Sequence, residues 1–228
     1  MSTLTFTDDM ARIQRALAQC HDLVLRRSRV VEALQLRTGE RVLDVGCGGG
    51  FYTAEVAQCV GPTGEVCAID LSTDHIAAAQ RHCAEVAWVS CRVADAVALP
   101  YEDGVFDVIY GVQVFEYVTQ LDTALRDVQR VLRPGGRCAI LATDWNTAVW
   151  HSRHPDRMQR VLTAWAAHTH TPDLPSILGV RLWQAGLEPL RQTPMPVLNR
   201  SYHRTEARKL RPPEHSRTTP TREQAEGT

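Results

Sequence analysis

Between residue 41 and about residue 143 the chain alternates short apolar runs with longer amphipathic stretches. That is the pattern of a parallel sheet whose strands are joined by crossover helices. The apolar runs predict strands at Arg41–Val45, Glu65–Asp70, Trp88–Val93, Val105–Tyr110 and Arg137–Ala142. Helices are predicted between them at Tyr52–Val60, Thr73–Ala84 and Thr119–Leu132. The last is stopped by Arg133-Pro134-Gly135-Gly136, because proline cannot continue a helix and paired glycines supply the turn. Ahead of the sheet, Met10, Ile13, Leu17, Cys20 and Val24 recur at spacings of three and four, one face of an amphipathic helix. A second short helix is expected at Arg27–Leu36, ending at Thr38-Gly39. Beyond the fifth strand, His154–Thr169 carries Met158, Val161, Leu162 and Trp165 on one side, and Pro175–Ala185 reads as a further helix. Glu188–Arg191 is expected to add a sixth strand. From Asn199 onward only Tyr202, Ala207, Leu210 and Ala225 are apolar, too little to bury, so this tail is expected to be disordered. There is no internal repeat.

Composition narrows the class. With 228 residues, 44% hydrophobic and 22% charged, the chain suits one α/β domain. The formal charge of -1 gives no reason to expect nucleic acid as a partner. Seven basic residues against four glutamates gather in 199–228, so a basic tail follows a mildly acidic body. No apolar run reaches the roughly 20 residues of a membrane span, and MSTLTFTDDM lacks the features of a signal peptide; a cytoplasmic location is the expectation. The cysteines at 20, 47, 59, 67, 83, 91 and 138 include no C-x-x-C pair. They form neither a disulfide framework nor a zinc ribbon, and are expected to be mostly small buried hydrophobes.

The chemistry concentrates in Val42-Leu43-Asp44-Val45-Gly46-Cys47-Gly48-Gly49-Gly50, an apolar strand entering a glycine-rich turn before a helix. Glycines permit positive φ and close approach of a ligand, and the helix start offers unpaired N–H groups. By itself this implies a nucleotide-like ligand. The dinucleotide fingerprint G-x-G-x-x-G fails, because Phe51 stands where its third glycine belongs. Asp70, ending the second strand, is placed to accept both hydroxyls of a ribose. Asp95, just past the third strand, is a second acid on the same edge.

On these residues the chain resembles the class I S-adenosylmethionine-dependent methyltransferases, nearest to the ubiquinone/menaquinone-biosynthesis type with its methyltransferase 11 domain. The resemblance rests on VLDVGCGGG (42–50), AIDLS (68–72), VADAVALPYEDGVFDVIYGVQVFEYV (93–118) and RVLRPGGR (130–137), in family order and spacing, over about half the chain. It implies a Rossmann-like, doubly wound, mostly parallel sheet. Members close that sheet with a final antiparallel strand, for which no sequence is visible after Asn199; the outer strand would then leave an open edge inviting a second copy of the chain. The implied organisation is an N-terminal helical lid (1–37), a methyltransferase domain (38–198) and the basic tail (199–228). The implied cofactor is S-adenosyl-L-methionine. Asp44, Gly46 and Gly48 would line its methionine part, Asp70 would hold the ribose, and Leu71 would pack on the adenine. Asp95 and the Ala96 amide would read the adenine edge, and Gln113 would lie near the sulfonium. A small organic acceptor, presenting O, N or C, would sit between the N-terminal helix and the segment after the fifth strand.

Methyl transfer from a sulfonium needs alignment first, and a base only where the acceptor must lose a proton. His151 and His154 are the candidate catalytic bases, with Tyr117 and Asp144 behind them. The His151/His154 and His168/His170 pairs lack a third spaced ligand, so no metal is expected. Trp145, Trp150 and Trp165 are candidates for an acceptor pocket or for core. Arg26 and Arg27 are candidates for the cofactor carboxylate, or solvated helix charges. Two rival readings are a non-catalytic binding module on the same fold and an NAD-dependent oxidoreductase. The missing third glycine and Asp95 argue against the latter.

Overall fold

The structure is a computed structural model and describes residues 21–196. Its centre is a five-stranded, all-parallel sheet in the order β3-β2-β1-β4-β5. The strands are β1 (Arg41–Val45), β2 (Glu65–Asp70), β3 (Val89–Val93), β4 (Phe106–Val112) and β5 (Leu132–Leu141). Six α-helices are described: α1 (His21–Leu34), α2 (Phe51–Val60), α3 (Thr73–His82), α4 (Leu121–Val131), α5 (Pro155–Ala166) and α6 (Leu174–Gln184). All five predicted strands and the helices between them form, with ends moved by a few residues. Among the described residues no helix is long and apolar enough to cross a membrane.

Alternation along the strands builds two cores. Leu43 and Val45 of β1 face one way with Cys67, Ile69, Phe106 and Ile109, under Leu121, Ala124, Leu125, Val128 and Val131 of α4 and Leu174 of α6. Val42, Val66, Val108 and Tyr110 face the other way, against Val30 and Leu34 of α1 and Val56, Ala57 and Val60 of α2. Period-two side chains on strands covered from both sides explain why β1 and β2 read as near-continuous apolar runs. In α4 the buried positions fall at intervals of three and four, the stripe of an amphipathic helix.

Four expectations are corrected. The region before the sheet does not break between Val24 and Arg27, because α1 runs unbroken from His21 to Leu34; Val24, Arg27 and Val30 fit one continuous helix, and no glycine or proline interrupts it. Glu188–Arg191 forms no strand: Pro189 lacks an N–H for a ladder, and the segment stays exposed. Arg133-Pro134-Gly135-Gly136 does not separate α4 from β5 as a free turn but lies within β5, where the register against β4 shifts between Phe106 and Val108. The cysteines divide, with Cys47, Cys67 and Cys83 buried, Cys91 and Cys138 half-buried and Cys59 exposed. Among the described residues no antiparallel strand joins the sheet. The N-terminal helix as far as Cys20 and the tail from Asn199 lie outside the described residues.

Strand order locates the site. The chain runs outward from β1 through β2 to β3, then crosses back so that β4 pairs with β1's other side. Ligands of open α/β sheets bind at such a reversal, outside the carboxyl ends of the strands.

Candidate functional site

Two segments leave the sheet at the reversal: the glycine turn after β1 and the turn after β4. Gly46 N–H and Cys47 N–H both donate to the Ile69 carbonyl, at 2.8 and 2.9 Å, which locks the turn onto the end of β2. Gly46 has φ of 73°, and a Cβ there would lie 2.2 Å from Val114 Cγ2, so the two turns meet at a point that only glycine fits. Gly48, at φ 53°, has nothing within 4 Å of where its Cβ would stand. This is open space over the backbone, the room a ligand needs.

Beneath the turn Asp44 is buried. Its Oδ2 accepts hydrogen bonds from Thr53 Oγ1 of α2 at 2.6 Å and from the Tyr110 hydroxyl of β4 at 2.7 Å. Burial pushes this carboxyl up to about 6, against the two hydrogen bonds and with the help of the nearby Asp70 charge. Asp44 therefore joins β1, α2 and β4 under the site, a role the sequence pattern did not indicate.

Asp70 ends β2 with its side chain 15% exposed. Oδ2 accepts from Gly48 N–H at 2.9 Å. Oδ1 accepts from Ser72 N–H at 2.9 Å and faces His75 Nδ1 at 3.3 Å. Burial works to raise its pKa, but the His75, Ser72 and Gly48 bonds outweigh it and hold the group below the usual carboxylate range. A carboxylate offers about four acceptor positions, so Asp70 ties the glycine turn to the start of α3 and keeps one position for a further donor. Next to it Leu71 is 67% exposed, an apolar surface beside the open turn. Past β3, Asp95 is half-exposed and accepts from Val97 N–H at 3.1 Å, while Ala96 is buried.

Gln113 closes β4 with φ of 59°, a left-handed conformation that costs a non-glycine residue free energy and recurs at functional sites. It is over-determined: its N–H donates to the Leu141 carbonyl and its Nε2 to Thr143 Oγ1, both at 2.7 Å. Three residues on, Glu116 is fully buried. Neither carboxylate oxygen has a side-chain hydrogen-bond partner, and burial pushes the group up to about 7 against the backbone N–H groups of Glu116 and Thr143 and the Arg26 charge. Its carbonyl accepts from His170 and Thr171 N–H at 2.9 and 3.1 Å. In the sequence Phe-Glu-Tyr-Val looks like any turn after a strand, so the motif reading passed over Glu116.

The remaining candidates separate. Arg27 is not a solvated charge: it is buried, its Nε lies 2.8 Å from Glu55 Oε1, and its guanidinium stands 5.9 Å from the Phe51 ring. Arg26 instead faces the Tyr52 hydroxyl of α2. His151 and His154 are exposed on the segment between β5 and α5. Asp144 caps the following turn by accepting from Asn146 N–H at 3.0 Å. Tyr117 and Trp145 both pack on His168, with ring centroids at 5.4 and 6.3 Å, whereas Trp150 is exposed. Among the described residues no three His, Cys, Asp or Glu side chains gather as metal ligands.

Comparison with known proteins agrees with this geometry. Residues 43–140 match the methyltransferase domain family. A demethylmenaquinone methyltransferase of Staphylococcus aureus is 36% identical over 121 residues, covering 53% of this chain and 50% of that protein. An uncharacterized 37.1 kDa protein of a Streptomyces fradiae transposon is likewise 36% identical over 121 residues, covering 53% and 35%. The chain thus spans half or less of these relatives' length. A methyltransferase structure from Aquifex aeolicus superposes with a TM-score of 0.61 at 22% identity, covering 77% of this chain and 87% of that one. Phosphoethanolamine N-methyltransferase 2 of Haemonchus contortus, solved with S-adenosyl-L-methionine, superposes at 0.58 with 21% identity, covering 71% and 36%. Both likenesses show the fold.

Proposed function

We propose that this chain, whose residues 43–140 match the methyltransferase domain family, is a class I S-adenosylmethionine-dependent methyltransferase that moves a methyl group from S-adenosylmethionine to a small organic acceptor and releases S-adenosylhomocysteine. The observation that carries the reading is the cradle at the strand reversal. There Gly48 opens onto free space, Asp70 keeps an accepting position beside it, and Leu71 offers an exposed apolar face. A nucleoside with hydroxyls and a flat base matches those three features. When bound, the cofactor supplies a sulfonium methyl already activated for displacement.

The protein's part is placement. Asp70 accepts a ribose hydroxyl, Leu71 covers the adenine, and Asp95 with the Ala96 amide faces the adenine edge. Asp44, held by Thr53 and Tyr110, supports the turn on which the methionine part rests. Gln113, fixed at both ends, borders the methyl. Holding acceptor, methyl and sulfur in line is an orientation effect worth up to about 7–11 kcal/mol. The relative named for demethylmenaquinone supports a small-molecule acceptor. The test is calorimetric titration with S-adenosylmethionine, S-adenosylhomocysteine and NAD, followed by a labelled-methyl screen over phenols, amines, quinol precursors and thiols. Binding of the first two without NAD is expected. Binding with no transfer to any acceptor would favour a non-catalytic module, and preference for NAD would overturn the reading.

A further inference from the structure

Among the described residues three donors hold the Asp70 carboxylate. Gly48 N–H donates to Oδ2 and Ser72 N–H to Oδ1, each at 2.9 Å. The third is His75, whose Nδ1 stands 3.3 Å from the same Oδ1. A carboxylate ionised at neutral pH only accepts, so this bond requires the hydrogen on Nδ1. The start of α3 explains how the ring comes to be there. Ser72 is the N-cap, and its Oγ accepts from His75 N–H at 3.3 Å. In a capping box the side chain three residues past the cap reaches back to the cap's own N–H. Here that N–H is already given to Asp70, and the His75 ring reaches two residues further back, to the carboxylate itself. The His75 side chain is only 14% exposed, so the contact is enclosed by packing rather than loose at the surface.

Each carboxylate oxygen offers about two accepting positions. Ser72 and His75 take both on Oδ1, and Gly48 takes one on Oδ2, which leaves one on Oδ2 beside the free space over Gly48. A ribose presents two neighbouring hydroxyls, and a carboxylate with both oxygens open would accept one on each. Asp70 is not in that state. We propose that His75 sets how the nucleoside is read: by filling the second position on Oδ1 it leaves Asp70 a single ribose hydroxyl to bind, through Oδ2, and it fixes the carboxylate plane in which that bond forms. The proposal rests on the methyltransferase reading for the identity of the ligand. His75 is a positioning residue, acting on the ribose through Asp70. It narrows the expectation that Asp70 accepts both hydroxyls to one of them. The other hydroxyl makes no bond to Asp70 and adds little to affinity.

The test is calorimetry on the full chain with S-adenosylhomocysteine and its 2′-deoxy and 3′-deoxy analogues. In the parent, loss of one hydroxyl is expected to weaken binding at least about tenfold and loss of the other less than about threefold; comparable losses for the two would overturn the proposal. His75→Leu removes the N–H and leaves an apolar side chain. It is expected to weaken S-adenosylhomocysteine at least about fivefold, while the analogue lacking the bound hydroxyl stays within about twofold of its affinity for the parent, because the coupling runs through that one bond. An equal loss for all three ligands would show a merely structural role and overturn the proposal, as would no loss at all. His75→Asn places an N–H the same number of bonds from the backbone as Nδ1. It is expected to recover both the affinity and the one-hydroxyl pattern to within about twofold of the parent, and a variant as weak as His75→Leu would count against the proposal. If His75→Leu fails to fold, the parent's two deoxy analogues and His75→Asn decide. Failure of S-adenosylhomocysteine to bind the parent would overturn the methyltransferase reading itself, and the proposal with it.

Discussion

Glu116→Gln has a consequence for stability that follows from the buried position of its carboxyl. The carboxyl is fully buried with no side-chain partner, and its pKa rises from 4.5 to about 7 because burial outweighs the backbone N–H bonds and the Arg26 charge. A group whose pKa is higher folded than unfolded binds its proton more tightly in the fold. The fold therefore loses stability as pH rises from 4.5, and the loss levels off above about 7. At about 1.36 kcal/mol per pH unit the full difference is on the order of 3 kcal/mol. Glutamine has the same shape and no proton to lose. The variant is expected to match the parent within about 1 kcal/mol at pH 4.5 and to exceed it by about 3 kcal/mol at pH 8. Asp44 also titrates upward, at about 6, but it is present in both proteins and cancels in the difference. Urea unfolding at pH 4.5, 6, 7 and 8 reads this directly. A difference independent of pH, or a variant less stable than the parent at pH 8, would refute the claim that burial outweighs the groups that favour the charged form of Glu116.

Three further outcomes are expected. Asp70→Ala should weaken S-adenosylmethionine binding at least about tenfold, through the lost charge-assisted bond to ribose and the untied Gly48 turn; calorimetry giving affinity within about threefold of the parent would remove the ribose assignment. Gly46→Ala, whose Cβ would meet Val114 Cγ2 at 2.2 Å, should cost at least about 2 kcal/mol in urea unfolding, with part recovered in the double variant with Val114→Ala. Arg137→Met breaks a two-pronged pair with Glu40 at 2.8 and 2.7 Å and should cost about 3 kcal/mol at pH 7. Glu40 is held below its usual range chiefly by the Arg137 hydrogen bond, so the pair's contribution is present above pH 4.5 and lost as pH falls further. The penalty should shrink on acidification, and a constant penalty down to pH 3 would contradict the pairing.

These features divide according to how local their causes are. Each strand and helix of the α/β pattern depends on a dozen neighbouring residues: alternation for β1, three-and-four spacing for α4, a glycine turn between β1 and α2. Such signals survive in a linear string, which is why the sheet, the cradle residues Gly46, Gly48, Asp70 and Leu71, and the likeness to methyltransferases are all legible from the chain's order alone. Glu188–Arg191 forms no strand because Pro189 inside it removes a ladder N–H.

The rest required distant residues to meet. Asp44 becomes a buried junction only when Thr53 and Tyr110, 9 and 66 residues away, arrive at one oxygen. Arg27, which resembles a surface charge on a helix, is buried against Glu55, 28 residues on. Arg137 and Glu40 pair across 97 residues and tie β5 to the start of β1. Glu116 is an ordinary turn glutamate in the string. Its proton affinity comes from being closed off from water, which outweighs the opposing Thr143 N–H and Arg26 charge. Secondary elements, their order and the glycine cradle follow from local periodicity and backbone freedom, and so are written in the chain's order. Which charges lose their water is settled by packing, because desolvation depends on everything that folds around a group, most of it distant in the chain.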